Sequence, residues 1–405
     1  MMFALFLFDV QAQNIDNSEK ECPIKSAPDF FKKKDSLSVV KPKKENFLLI
    51  VPIIGSQPAT GFSYGFVTQY TFKGKKPDDK YSFFNFSTAY TGKKQLVINA
   101  RHNVMRYNNK LFLSGDWRYY IFSQPNYGLG TDIIPPKYRN ENFDLTALEE
   151  PMGYNYLKFH QTASWEINEN LYLGAGVHLD WYTNIVDKNL DVAKNQYTKH
   201  YNYSNKYGFT GNEYNVNGLS INLLYDSRDN QINTNNGMFA NINYRINPAF
   251  SDKQQPSNVL FMEYRYFLPL SKSNTQHVFG LLATSQIVTT GNVPYLNLPS
   301  IGWDQRNRAG KGYIQGLFRG QKMVYFETEY RFPISCNQLI SGVAFANFTS
   351  ANDKDRHIRL FQYVQPALGV GLRILIDKAT RTNLVANYAM GNNSKAFYLN
   401  AGESF

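Results

Sequence analysis

Asn307 to Arg331 reads NRAGKGYIQGLFRGQKMVYFETEYR and joins two physically different halves. The first half sets Gly310, Gly312, Gly316 and Gly320 among Arg308, Lys311 and Arg319, a mixture too flexible and too polar for a strand. The second half alternates. Val324, Phe326, Thr328, Tyr330 and Phe332 fall on one face, and Tyr325, Glu327, Glu329 and Arg331 on the other. A period of two with this contrast describes a strand whose faces meet an apolar and a polar medium. The expected arrangement is a cationic loop, 290–321, folded back into a polar lumen whose wall is built from strands of this kind.

The wall is legible on both sides of that stretch. Sixteen candidate strands follow from the alternation, at 46–54, 61–72, 81–91, 95–105, 110–121, 154–167, 171–186, 215–226, 237–247, 257–268, 276–289, 322–334, 338–349, 361–376, 380–390 and 394–403. In 171–186, Leu173, Ala175, Val177, Leu179 and Trp181 oppose Gly174, Gly176, His178 and Asp180. In 361–376, Leu368, Val370, Leu372 and Ile374 oppose Gly369, Gly371 and Arg373. The even strand number and the aromatic strand ends predict an all-β fold, a closed antiparallel transmembrane β-barrel with lipid outside. So do the loop lengths. Connections such as 106–109, 168–170 and 377–379 are short, whereas 122–153, 187–214 and 290–321 are long. A water-soluble sandwich satisfies the same period but buries its greasy face against a second sheet.

Bulk properties agree. The chain has 405 residues, 16% of them aromatic, yet the mean hydropathy is −0.43. No apolar run is long enough for a transmembrane helix. The net charge of +11 is spread over turns and strand faces, so it reads as attraction to anionic headgroups or lumen carboxylates rather than to nucleic acid. The basic cluster is Lys32, Lys33, Lys34, Lys41, Lys43 and Lys44.

Residues 1–13, MMFALFLFDVQAQ, have an apolar core from Phe3 to Phe8 and a small-residue site at Val10-Gln11-Ala12, which reads as a signal peptide without a basic n-region. Residues 14–45 are polar and lysine-rich, with Pro23, Pro28 and Pro42, and read as a periplasmic arm before a barrel domain over 46–405. The two cysteines, Cys22 and Cys336, are too few for a disulfide framework. Both fall on the short-turn, oxidising side, which leaves two alternatives open: a bridge tying the arm to the barrel rim, or two free thiols.

Five stretches carry a family signature. Tyr225-Asp226-Ser227-Arg228-Asp229-Asn230, running through Asn233 to Gly237, reads as strand, turn, glycine, strand. Gly310-Lys311-Gly312-Tyr313 is a loop tip, and Glu329-Tyr330-Arg331-Phe332-Pro333-Ile334 ends the strand after it. Gly369-Val370-Gly371-Leu372-Arg373 and Gly402-Glu403-Ser404-Phe405 lie in the last strands. In order and spacing these resemble the BamA/TamA-like outer-membrane assembly superfamily, also called the bacterial surface antigen domain, from about Asn46 to Phe405. The resemblance implies insertion or translocation of client proteins in a Gram-negative outer membrane, with a lateral gate between the first and last strands. Pro52 in the first strand suits an edge, and Phe405 resembles a terminal assembly signal.

This chain departs from the family at points that matter. Lys311 stands where the family has a loop-tip arginine, and Asn347 where it has the acidic partner, so the bidentate lock is replaced. Glu327 and Glu329 face the lumen as alternative partners, and a lysine without the planar fork predicts a looser loop. The residues before the barrel leave no room for the family's periplasmic repeats.

Other patterns carry less. Gly61-Phe62-Ser63-Tyr64-Gly65 matches a hydrolase nucleophile elbow but runs straight into an alternating strand. His178 and Asp180 share a strand face without a third metal ligand. Arg118, Arg245, Glu263, Arg265, Glu327, Glu329, Arg331 and Arg373 read as a packed ion-pair network rather than a conduction path. No enzyme and no cofactor or metal is expected. The expected surroundings are outer-membrane lipid and lipopolysaccharide, with client barrel proteins or partner lipoproteins as the implied partners. The alternative is a structural or passive-channel barrel that has lost the insertase role.

Overall fold

The computed structural model describes residues 22–30, 46–57, 61–76, 78–134, 143–272, 274–305 and 309–403. Residues 1–13, Phe405 and much of the 14–45 arm lie outside the described residues. The described residues form sixteen strands: β1 (Phe47–Gln57), β2 (Gly61–Phe72), β3 (Ser82–Thr91), β4 (Leu96–Arg106), β5 (Leu111–Asn126), β6 (Glu150–Asn168), β7 (Leu171–Asp187), β8 (Tyr214–Asp226), β9 (Gly237–Asn247), β10 (Ser257–Pro269), β11 (Val278–Gly291), β12 (Lys322–Pro333), β13 (Ile340–Ala351), β14 (Gln365–Asp377), β15 (Thr382–Gly391) and β16 (Ser394–Ala401). One short helix, α1 (Lys199–Tyr207), interrupts a long connection. No helix among the described residues is long and apolar enough to cross a membrane.

Each strand pairs antiparallel with the next, in a single sheet ordered β1 to β16. The result is a barrel closed at every junction but one. The expected full closure is corrected here: among the described residues no ladder joins β16 to β1. The cause is local. Strand β16 ends at Ala401, Gly402 takes a φ of +82°, and Glu403 turns in to meet Arg373 at 3.1 Å. On the other edge, Pro52 in β1 has no N–H to give to a ladder.

Burial decides between sandwich and barrel. Outward side chains such as Ile221 (61% exposed), Leu368 (63%) and Val370 (60%) are bare, while Glu327 (0%) and Arg373 (1%) are enclosed. A soluble sheet would reverse this, because exposed aliphatic area costs about 25 cal/mol per Å² in water and buried charge must be paired. The distribution fits apolar surroundings on the outside and a polar, ion-paired inside.

The ends of the barrel differ. Tight turns such as Glu169-Asn170, with Asn170 at φ +59°, close one rim, and asparagine tolerates that left-handed backbone. The longer connections pack into a dome at the other end, where Tyr154, Tyr182, Tyr203, Tyr214 and Tyr295 share a buried cluster. There Lys206 and Tyr207 both donate to Asp355 at 2.6 Å, and burial with that carboxylate pushes the Tyr207 hydroxyl above its usual range. Gly61 to Gly65 lies inside β2, without the strand–turn–helix context of a nucleophile elbow.

Candidate functional site

The site is built where the segment between β11 and β12 meets the inward face of the sheet. Glycines at 310 and 312, both at φ +95°, let the chain turn sharply and present Lys311. Strand β12 presents Met323, Tyr325, Glu327, Glu329 and Arg331 on its buried face, as its period of two dictates. The Lys311 ammonium donates to Glu327 Oε1 at 2.5 Å, and Glu329 Oε2 lies 4.0 Å away. The Tyr325 hydroxyl donates to the other oxygen of Glu327. The ammonium also sits 4.5 Å from the centre of the Phe345 ring.

The tip is held by more than charge. Gly312 N–H donates to the Tyr398 hydroxyl at 3.0 Å, and the Tyr313 hydroxyl donates to the Pro366 carbonyl. Asn347, on β13, donates through its side-chain amide to the Lys311 carbonyl at 3.1 Å. Asn347 therefore touches the tip through the backbone, while Glu327 receives the charge. A looser tip was expected from the missing guanidinium fork; here the tip has contacts on β12, β13, β14 and β16.

Further down the same segment, Arg118 donates to the Asp304 carbonyl at 2.8 Å, and Gln305 donates to the Gly115 carbonyl at 2.9 Å. These contacts border a cavity of about 250 Å³ lined by charged and aromatic side chains, among them Lys158, His160, Asp180 and Trp303. The charges in it are paired. Asp116 is held by Arg118 and Lys158, each at 2.7 Å, and Asp180 by Arg245 at 2.7 Å, His160 at 2.9 Å and Tyr156 at 2.6 Å. His178 bonds Ser220 at 2.7 Å, and no cluster of three or more metal-ligating side chains occurs among the described residues.

An acid and an arginine two residues apart recur on the inward faces: Asp116 with Arg118, Glu263 with Arg265, Glu329 with Arg331. Residues i and i+2 of a strand share a face, and the arginine stem spans the gap. That spacing is readable in the sequence. Lys158, Tyr398, Gln305 and Trp303 were missed, since each meets its partner only through strand pairing or loop packing.

The turn Asp226 to Gly237 forms a second assembly. Arg228 makes a two-pronged bond to Asp226, both prongs 2.8 Å, and Asp229 accepts from the backbone of Asn235 at 3.0 Å. Gly237, at φ +106°, is required there, because a Cβ would stand 2.3 Å from the Ser227 carbonyl oxygen. At the same rim Cys22 and Cys336 are bridged, with Lys25 N–H on the Asn337 carbonyl at 2.9 Å and Lys378 on Asp29 at 2.7 Å.

The profile of the Omp85 superfamily domain matches residues 56–405. Among solved structures, BamA from Haemophilus ducreyi lacking POTRA domains 1-3 aligns with a TM-score of 0.52 at 14% identity, over 88% of this chain and 68% of that one. CdiB from Acinetobacter baumannii aligns with a TM-score of 0.52 at 13% identity, over 88% of this chain and 59% of that one. CdiB from Escherichia coli gives 0.52 at 10%, over 88% and 62%. The chain thus spans less than two thirds of either CdiB, and at these identities the likeness is one of fold. No curated protein sequence matches the chain.

Proposed function

Because the chain belongs to the Omp85 superfamily, we propose that it is a non-enzymatic integral barrel of the bacterial outer membrane acting in insertion or translocation of other outer-membrane proteins. In this reading the loop 290–321 lodges in the lumen with Gly310–Tyr313 fastened to the wall, and the arm 14–45 lies in the periplasm. Lipid and lipopolysaccharide surround the outer face. Client barrel proteins and partner lipoproteins are its partners.

One observation carries the proposal: the unsealed junction between β1 and β16. Strand edges that lack a partner display N–H and C=O groups able to pair with an incoming strand. A barrel built only to seal or to conduct has no use for such a seam. Depletion of the protein in its Gram-negative host tests the assignment. Falling levels of other barrel proteins support it, and unchanged levels refute it.

Lys311 and Asn347, standing where the family has its arginine and acid, favour a second reading, a structural or passive-channel barrel without the insertase role. Unchanged barrel levels together with steady single-channel current in planar bilayers would support that alternative.

A further inference from the structure

The turn between β8 and β9, Ser227–Asn236, reaches far beyond its own hairpin. It is internally rigid. Asn230 Oδ1 accepts from Ile232 N–H at 2.7 Å, Thr234 donates back to the Asn230 carbonyl at 2.6 Å, and the Asp229 backbone N–H meets the Asn236 carbonyl at 3.0 Å. Its base is clamped, because the Phe239 ring lies between the guanidinium groups of Arg228 and Arg265, each 4.5 Å away.

Its far end rests on the strands beside the seam. Asn230 Nδ2 donates to the Thr380 carbonyl at 3.1 Å, and Arg381 pairs with Asp229 at 2.5 Å. Thr380 and Arg381 form the turn between β14 and β15, half the sheet away from β8 in strand order. Arg331 on β12 donates to the Thr234 carbonyl at 2.9 Å. Ile232 is buried, with its Cγ2 4.0 Å from the point where a side chain on Gly402, just past β16, would begin. Beside it, Gln69 of β2 reaches Thr382 of β15 at 3.4 Å, a side-chain contact across the seam where no backbone ladder exists.

We propose that this turn is a latch for the seam: docked on the β14–β15 turn, it holds the periplasmic ends of β15 and β16 in place, and undocking frees them. The seam edges share no ladder, so the positions of β15 and β16 at this rim depend on what their inner ends rest against. The latch supplies that support from the opposite wall. This inference rests on the seam and the contacts beneath it, and holds whichever role the barrel plays.

The test is hydrogen exchange on the full chain in detergent micelles. Asn230→Asp keeps the Oδ1 acceptor that shapes the turn, removes the donor to Thr380 and sets a carboxylate against a carbonyl. Arg381→Ala removes only the inter-turn ion pair and lies at the surface, so it reports even where the first variant fails to fold. The expected result for Asn230→Asp is exchange about tenfold faster in 382–403, with β5 to β7 unchanged, and a smaller change of the same pattern for Arg381→Ala. Faster exchange confined to 227–236, or spread evenly over all strands, would overturn the latch, since either marks a turn that only stabilises itself or the barrel at large.

Discussion

Replacing Lys311 by methionine should release the loop tip, and the structure sets the size of the effect. Glu327 has no exposed surface and loses the Lys311 ammonium, keeping the Tyr325 hydroxyl. Arg331 is already committed to Glu329 at 2.5 Å and does not compensate. Breaking one partner out of a buried pair costs about 3–5 kcal/mol. The lower end applies, because Gly312, Tyr313 and Asn347 hold the tip independently. About 3 kcal/mol corresponds to roughly a hundredfold rise in the undocked population. Hydrogen exchange of the amides in 309–321 reads this directly, with the outer strands as an internal reference. The double variant Lys311→Met with Glu327→Gln should exchange more slowly than Lys311→Met alone, because no charge is then stranded. An exchange rate within about twofold of the unmodified protein, or a double variant equal to the sum of the singles, would refute the reasoning.

Other outcomes follow from the same structure. A non-reducing peptide map of the mature protein should show the peptides of Cys22 and Cys336 linked, and two free thiols would contradict the bridge. Leu368→Lys, on the outer face, should lower folding stability in lipid vesicles by about 2–4 kcal/mol, whereas Gly369→Lys, on the inward face, would instead clash with the Phe345 ring and the Tyr388 carbonyl. Planar-bilayer recordings should show a mostly silent barrel, because the inward charges are paired and Asp304, Gln305 and Lys311 are bonded to inward-facing strand residues; steady large conductance would argue against that packing.

Much of the wall was legible from residue order, because an alternating face writes itself into every strand. The placement of Leu173, Val177 and Trp181 outside, with His178 and Asp180 inside, follows from parity alone. The hairpin of β5 and β6 ran further than its apolar pattern suggested. Ser123 to Asn126 pair with Glu150 to Gly153 through the backbone, which needs no alternation of side chains. A weak seam between β1 and β16 was legible from Pro52 and the brief last strand, but the missing ladder was not, since pairing across the two ends depends on where β16 stops and how Gly402 turns. Asn347 could be located but not its manner of contact, which runs through a main-chain carbonyl. The docking of Asn230 on Thr380 was invisible for another reason: two polar turns 150 residues apart carry no shared pattern.

The central claim is that these strands enclose ions and show grease to lipid, and nitroxide labelling along β8 in bilayers tests it most directly. Labels introduced singly at Leu219, Ser220, Ile221, Asn222 and Leu223 should alternate, with 219, 221 and 223 accessible to oxygen dissolved in lipid and 220 and 222 shielded from it. A flat profile, or the opposite parity with the aliphatic positions buried and the polar ones exposed, would contradict the account.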